Sequence, residues 1–223
     1  MLAEKLTQVG CRIVQANTDG LFVLLKKDSY QQVNIICRNW EQLTKLTLEE
    51  ERFEAMYQYA INDYIAVREG YKETKNPDLI KTKGMFITKV LLGKGLSAKI
   101  IPEAIIKYFV DGIPVEQTIK ECEDIRKFLM SEKTGKQWHV EYMNEEQQRT
   151  NRFYASTNGG YLWKWKDNNG VPAYQNMLTA SGVTLLNKFD NKPIEERKIN
   201  YRYYLKEALK IIEELQPRQL ELF

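Results

Sequence analysis

The chain has 223 residues, 43% hydrophobic and 28% charged, a globular balance that excludes a disordered or fibrous polypeptide. Its net charge of +3 permits a polyanionic partner without demanding one. Cys11, Cys37 and Cys122 are far apart and His139 is the only histidine, which excludes a disulfide framework, a Cys-x-x-Cys zinc site and multi-histidine metal chemistry.

No apolar run approaches the ~20 residues of a membrane helix, so no membrane partner is expected. The opening residues Met1 to Leu6 include Glu4 and lack the long apolar core of a secretory signal. The widely spaced cysteines fit a reducing compartment, and a cytoplasmic protein is expected.

Residues Leu2 to Val9 read as a short helix end stopped by Gly10. An opening of this kind suggests that further residues lie upstream. Cys11 to Ala16 and Leu21 to Leu25 are short apolar runs, and Asn17-Thr-Asp-Gly20 between them has hairpin-turn chemistry. Val33 to Cys37 reads as another strand. Thr47-Leu-Glu-Glu50 matches a capping box, and Phe53, Met56, Tyr57, Ala60 and Ile61 follow at helical spacing, so a helix is expected there. Tyr64 to Val67 reads as a strand, Gly70 to Asp78 as a polar loop, and Met85 to Thr88 as a further strand.

Pro102 opens a helix that carries Ile105, Ile106 and Phe109 and stops at Gly112. Val115 to Met130 reads as a second helix with Ile119, Cys122, Ile125 and Leu129 on one stripe. Short strands follow at Arg152 to Ser156, Tyr161 to Lys166 and Val183 to Asn187. Asn158-Gly-Gly160 and Asn168-Asn-Gly170 read as turns. Tyr203 to Leu215 closes the series as an amphipathic helix. The fold class is α+β. The first part, residues 1–90, mixes strands with one packed helix; the second, 91–215, holds a helix pair, a small β insertion and a closing helix.

A carboxylate at a hairpin tip, Asp19, sits on a stiff mount, and such a mount can hold a magnesium ligand within a fraction of an ångström. Magnesium takes few protein carboxylates and fills its remaining positions with water and phosphate oxygens. Turns are rich in Asn, Asp and Gly for local reasons as well, so the turn alone does not decide between the two roles.

The stretch Val14-Gln-Ala-Asn-Thr-Asp-Gly-Leu-Phe22 resembles the third palm motif of family B DNA polymerases, usually written Tyr-Gly-Asp-Thr-Asp-Ser. Asn62-Asp-Tyr64 resembles that family's lysine-x-tyrosine element, and Ile80-Lys-Thr-Lys-Gly84 resembles the Lys-Gly step that follows it. The later helices and Gln148-Arg-Thr-Asn-Arg-Phe-Tyr154 look like the thumb of phage members.

The resemblance implies a partial palm over residues 1–90 and a thumb over 91–215. It makes Asp19 the catalytic metal ligand, with Asn17 as a weak second contact, in a two-metal Mg2+ site shared with residues outside this chain. It implies that Thr18, Tyr64, Lys81, Lys83, Gly84, Arg149 and Arg152 contact primer-template DNA, while deoxynucleotides are the substrate. Lys164 and Lys166 are expected to extend a basic thumb surface, and Trp163 and Trp165 to pack the small sheet.

Three departures bear on activity. Asn17 stands where the family has its first aspartate, Gly20 stands where it has serine, and Asn62 stands where it has lysine. The family's first palm aspartate motif and its lysine-bearing fingers helix would precede residue 1. The chain is therefore expected to be inactive alone and to need the missing amino-terminal polymerase segment as a partner. The alternative is a non-catalytic DNA-binding or clamp-binding protein derived from a polymerase.

The final residues Gln219-Leu-Glu-Leu-Phe223 resemble the peptide by which bacterial and phage replication proteins dock on a sliding clamp. Gln219 is the polar anchor, and Leu220, Leu222 and Phe223 are the apolar side chains that would fill a preformed pocket. Pro217 is expected to end the preceding helix, which makes residues 216–223 a clamp-binding tail. A bacterial or phage-infected cell is the implied setting.

Overall fold

The computed structural model describes residues 1–18, 20–87, 98–178 and 182–215. They form a mixed fold of helices and strands, divided by internal contacts into two compact units, Met1–Glu54 and the chain from Ala55 onward. The division falls at Glu54 and not near residue 90. The reason is that Ile65 and Phe86 share one core with Ile100, Ile105 and Tyr204, which ties residues on both sides of position 90 into a single body.

The smaller unit contains helix α1 (Leu2–Gln8), strands β1 (Arg12–Ala16) and β2 (Leu21–Leu24), and helix α2 (Tyr30–Thr44). Strands β1 and β2 form the expected antiparallel hairpin, with a register shift between Ile13 and Gln15 that bulges the strand at Val14. Leu6, Cys11 and Val33 make the core of this unit. The strand expected at Val33 to Cys37 is part of α2. Val33, Ile36, Cys37, Trp40 and Thr44 form its inward stripe at helical spacing.

No helix follows the Thr47-Leu-Glu-Glu50 stretch. Its acid is used elsewhere: Glu50 accepts from the Tyr30 hydroxyl at 2.9 Å and from Arg52 Nε at 2.7 Å. Leu48 N–H donates to Glu41 Oε1 at 2.7 Å. The residues after it form strand β3 (Phe53–Ala60), part-buried from Phe53 to Gln58, so both faces are covered and the helical spacing of the apolar residues is incidental.

The larger unit continues with β4 (Asp63–Arg68), a short helix α3 (Tyr71–Thr74) inside the stretch expected as loop, and β5 (Ile80–Lys83). These strands form a three-stranded sheet ordered β3-β4-β5. Gly84–Phe86 is a single 3-10 turn where a strand was expected, and Thr88 lies outside the described residues. Helix α4 (Ile100–Asp111) ends at Gly112 as expected. Helix α5 stops at Lys120 (Val115–Lys120) and does not run to Met130. The Asp124 side chain accepts the Arg126 N–H at 3.0 Å and starts a separate 3-10 turn, and Met130 already belongs to a strand.

That strand, β6 (Met130–Lys133), pairs with β9 (Thr150–Gly160), which pairs with β12 (Val183–Leu185). A second sheet is ordered β11-β10-β7-β8, from β7 (His139–Tyr142), β8 (Glu145–Gln147), β10 (Leu162–Asn168) and β11 (Val171–Asn176). Asn169 and Gly170, both with positive φ, close the β10–β11 hairpin where the sequence marks a turn. The other expected turn, Asn158-Gly-Gly160, stays inside β9. A side-chain carbon at Gly159 would stand 2.1 Å from the Val183 carbonyl oxygen, so its glycine serves close backbone approach. Helix α6 (Tyr201–Leu215) closes the described chain and buries Tyr204, Ala208, Ile212 and Leu215. Among the described residues no helix is long and apolar enough to cross a membrane.

Candidate functional site

The β1–β2 hairpin carries the first group of expected site residues. Asn17 N–H donates to the Gly20 carbonyl at 3.0 Å, and Gly20 N–H donates back to Asn17 Oδ1 at 2.8 Å. These reciprocal bonds fix the turn. Asn17, Thr18 and Gly20 are exposed, so the tip is open to solvent. Asn17 Oδ1 serves the turn, which gives it a structural task besides the weak metal contact the resemblance implies. Asp19 itself lies outside the described residues.

A second group lies on β4 and β5. The strands pair antiparallel with Tyr64 opposite Lys83 and Ala66 opposite Lys81, so the two lysines occupy one face two residues apart. Lys83 is exposed and Lys81 half-buried. Tyr64 is 5% exposed, so its ring packs within the protein and does not stand on an open face. Asp63 Oδ1 accepts the Met85 N–H at 2.8 Å, which ties the chain after Gly84 to the start of β4. Phe86, fully buried, anchors the end of this segment in the core. The structure thus brings Tyr64, Lys81 and Lys83 together on one pair of strands, with Gly84 immediately after β5.

Arg152 belongs to a different sheet, on β9, and Arg149 lies just before that strand. Arg149 donates from Nη2 to the Thr134 carbonyl at 3.1 Å, and Thr134 N–H returns a bond to the Arg149 carbonyl at 2.9 Å. Arg152 is exposed on β9, where its backbone N–H donates to Asn187 Oδ1 at 2.8 Å. Lys164 and Lys166 bend over the Trp138 ring, 5.6 and 5.3 Å from its centroid, and Lys164 also pairs with Glu132 at 2.9 Å. These lysines are engaged locally, which corrects their expected place on an open basic surface. Trp163 and Trp165 alternate onto the opposite face of β10, and Trp163 is exposed rather than packed. Gln219, Leu220, Leu222 and Phe223 lie outside the described residues.

Sequence reasoning passed over a cleft of about 420 Å³ beside α4 and α5. Glu103 holds Lys107 at 3.2 Å and Lys127 at 2.8 Å, and this pairing raises the Lys127 pKa. Cys122 also lines the cleft, but burial pushes its thiol up, away from the reactive thiolate. The cleft therefore pairs its two lysines with Glu103 and offers no activated nucleophile. Among the described residues no group of three or more His, Cys, Asp and Glu side chains is arranged to hold a metal ion.

Comparison of the chain with protein-family models, curated proteins and solved structures finds no match.

Proposed function

We propose that this chain is the carboxyl-terminal palm-and-thumb portion of a DNA-directed DNA polymerase similar to the phage-type family B enzymes. The observation that carries the reading is the pairing of β4 with β5. Two segments that resemble successive family elements, separated by fifteen intervening residues in the sequence, are direct neighbours with Tyr64 opposite Lys83. The open hairpin tip that bears Asn17 and Thr18 is in keeping with it.

In this reading Asp19 is the magnesium ligand, with Asn17 a weak second contact through its amide oxygen. Bound Mg2+ would supply Lewis-acid activation of a 3′-hydroxyl and charge stabilisation at the leaving pyrophosphate. Lys81 and Lys83 neutralise phosphates of the primer-template duplex, Gly84 lets the backbone approach it, and Arg149 and Arg152 extend the grip. Tyr64, buried opposite Lys83 on the neighbouring strand, acts from within the fold to position it. The second carboxylate and the lysine that meets the nucleotide phosphates come from a companion amino-terminal segment. The tail from Gln219 to Phe223 tethers the assembly to a sliding clamp and raises its effective concentration at the template.

One observation favours a second reading. The amide at Asn17 removes a negative charge from the tip, and its oxygen is engaged by the Gly20 N–H, as suits a non-catalytic DNA-binding or clamp-binding protein. Primer extension separates the two. The chain, mixed with a polypeptide bearing the first palm motif and fingers, is expected to extend a primer, and Asp19→Ala is expected to abolish extension while duplex binding persists. Duplex binding without extension in any mixture would favour the second reading; equal extension by wild type and Asp19→Ala would remove Asp19 from catalysis.

A further inference from the structure

The four-stranded sheet has one face that buries Val140 and Leu162 and another that packs against no described core. Alternation and register place Trp163 and Trp165 of β10, His139 and Glu141 of β7, Tyr174 of β11 and Glu146 of β8 together on that second face. Its aromatic rings are closely spaced. His139 stacks on Trp165 at 4.4 Å, Tyr174 lies 6.0 Å from Trp165, and Tyr161 lies 6.2 Å from Trp163. The face is nonetheless open, with Trp163 36% and Tyr174 56% exposed. Between them lies a notch of about 280 Å³, lined by Glu141, Trp163 and Tyr174.

The charge of this notch is unbalanced. Glu141 is half-buried, and its carboxylate makes no hydrogen bond or ion pair with any described residue. Glu146 stands directly opposite it on β8, and like charges facing each other across a strand pair destabilise a sheet. Glu146 reaches His139 Nδ1 at 3.2 Å. The nearest cations in sequence, Lys164 and Lys166, alternate to the other face and lie over Trp138. A carboxylate floor between aromatic walls suits a flat cation. A guanidinium gains cation–π contact from the rings and paired hydrogen bonds from the carboxylate. The notch is smaller than the usual small-molecule pocket and has the scale of one long side chain. A polyanion would meet Glu141 and Glu146 and be repelled.

We propose that this notch receives an arginine side chain from an extended segment of a partner protein. The inference does not depend on the polymerase reading, since it uses neither the hairpin tip nor β4 and β5.

The test uses the full chain and follows its tryptophan indole N–H resonances by NMR, with that of Trp163 assigned by Trp163→Phe. The probes are a blocked pentapeptide with one central arginine flanked by glycine and serine, the same peptide with neutral citrulline, and a ten-residue oligothymidylate. The arginine peptide is expected to shift the Trp163 resonance saturably and to bind about tenfold tighter than the citrulline peptide. Glu141→Gln is expected to weaken the arginine peptide by a similar factor. This variant relieves the opposition to Glu146, so its Tm is expected to equal or exceed that of wild type, and a loss of binding is not a loss of folding. Equal binding of the two peptides, no effect of Glu141→Gln, no shift with any probe, or a stronger shift with the oligothymidylate would each overturn the proposal.

Discussion

Gly84 lies so close to Asn62 that a side-chain carbon added there would stand 2.3 Å from the Asn62 carbonyl oxygen, and 2.0 Å from Asp63 Oδ1. Its φ of +65° is also one that side chains resist. Gly84→Ala must therefore break the Asp63 to Met85 hydrogen bond or shift the backbone at the β3–β4 turn. Left-handed strain and overpacking together are expected to cost about 2–4 kcal/mol, read as a lower urea midpoint. Unfolding at the wild-type midpoint would show that the β4–β5 junction yields more easily than its geometry implies.

Lys81 and Lys83, two residues apart on one face of β5, are proposed to contact phosphates. Replacing both by Gln is expected to weaken duplex binding equally across sequences. The slope of log K against log salt should become shallower by about 1.8, the effect of two lost phosphate contacts. Filter binding at several salt concentrations measures it. An unchanged slope would take both lysines off the DNA.

Thr118 Oγ1 is buried with no hydrogen-bond partner among the described residues. Valine has nearly the same shape without the hydroxyl, so Thr118→Val removes an unsatisfied polar atom from the boundary of the α4–α5 cleft. A gain of about 1 kcal/mol in unfolding free energy is expected, measured by urea titration.

The Arg197 guanidinium is almost wholly buried and pairs with the half-exposed carboxylate of Asp190, which holds the Asp190 pKa below its ordinary value. A carboxylate with a depressed folded pKa adds stability that is complete above its unfolded pKa, near 3.8, and is lost as pH falls through the lower folded value. Asp190→Asn is expected to lower the Tm by a few degrees at neutral pH, because Arg197 keeps its buried charge and loses its counter-ion. The difference from wild type should narrow below the ordinary aspartate pKa. A gap that stays constant down to strongly acid pH would mean that the pair contributes through packing alone.

Legibility of the sequence varied with how local the deciding interaction is. The two Asn- and Gly-rich turns at Asn17 to Gly20 and Asn168 to Gly170 close real hairpins, because the residues that make them also set their conformation. Gly112 ends α4 for the same reason. Phe53 to Ala60 misled because its apolar residues satisfy a helical period while a neighbouring strand and a covering core set the actual state. Val33 to Cys37 misled in the opposite sense: a five-residue run rich in Val and Ile is too short a window to reveal the stripe that runs on to Thr44. In the candidate site, the closeness of Tyr64 to Lys83 follows from pairing across eighteen intervening loop and strand residues in addition to the motifs. The aromatic notch was beyond reach of sequence reading, since it needs the register of β7, β10 and β11 at once.

The side chain of Tyr204 joins two segments that the chain separates widely. Its hydroxyl donates to the Phe128 carbonyl at 2.8 Å and accepts the Ala155 N–H at 2.8 Å, while its ring meets Phe128 edge-on at 5.1 Å. The residue is fully buried, so no solvent can replace either bond. Tyr204→Phe keeps the ring and leaves a buried N–H and a buried carbonyl without this partner, a cost expected at about 2–4 kcal/mol, with an unchanged dependence on urea concentration. Alkaline pH probes the same contact. Burial drives the Tyr204 pKa far upward and pushes that of Tyr203 up to about 12. Neutral phenols with raised folded pKa values add stability that is complete below the ordinary tyrosine value and is lost as pH rises above it. Wild type is therefore expected to lose stability steeply above pH 10, and Tyr204→Phe to lose it with a smaller slope. Parallel slopes would mean that the Tyr204 phenol ionises without unfolding the junction between α6, β9 and the turn before Phe128.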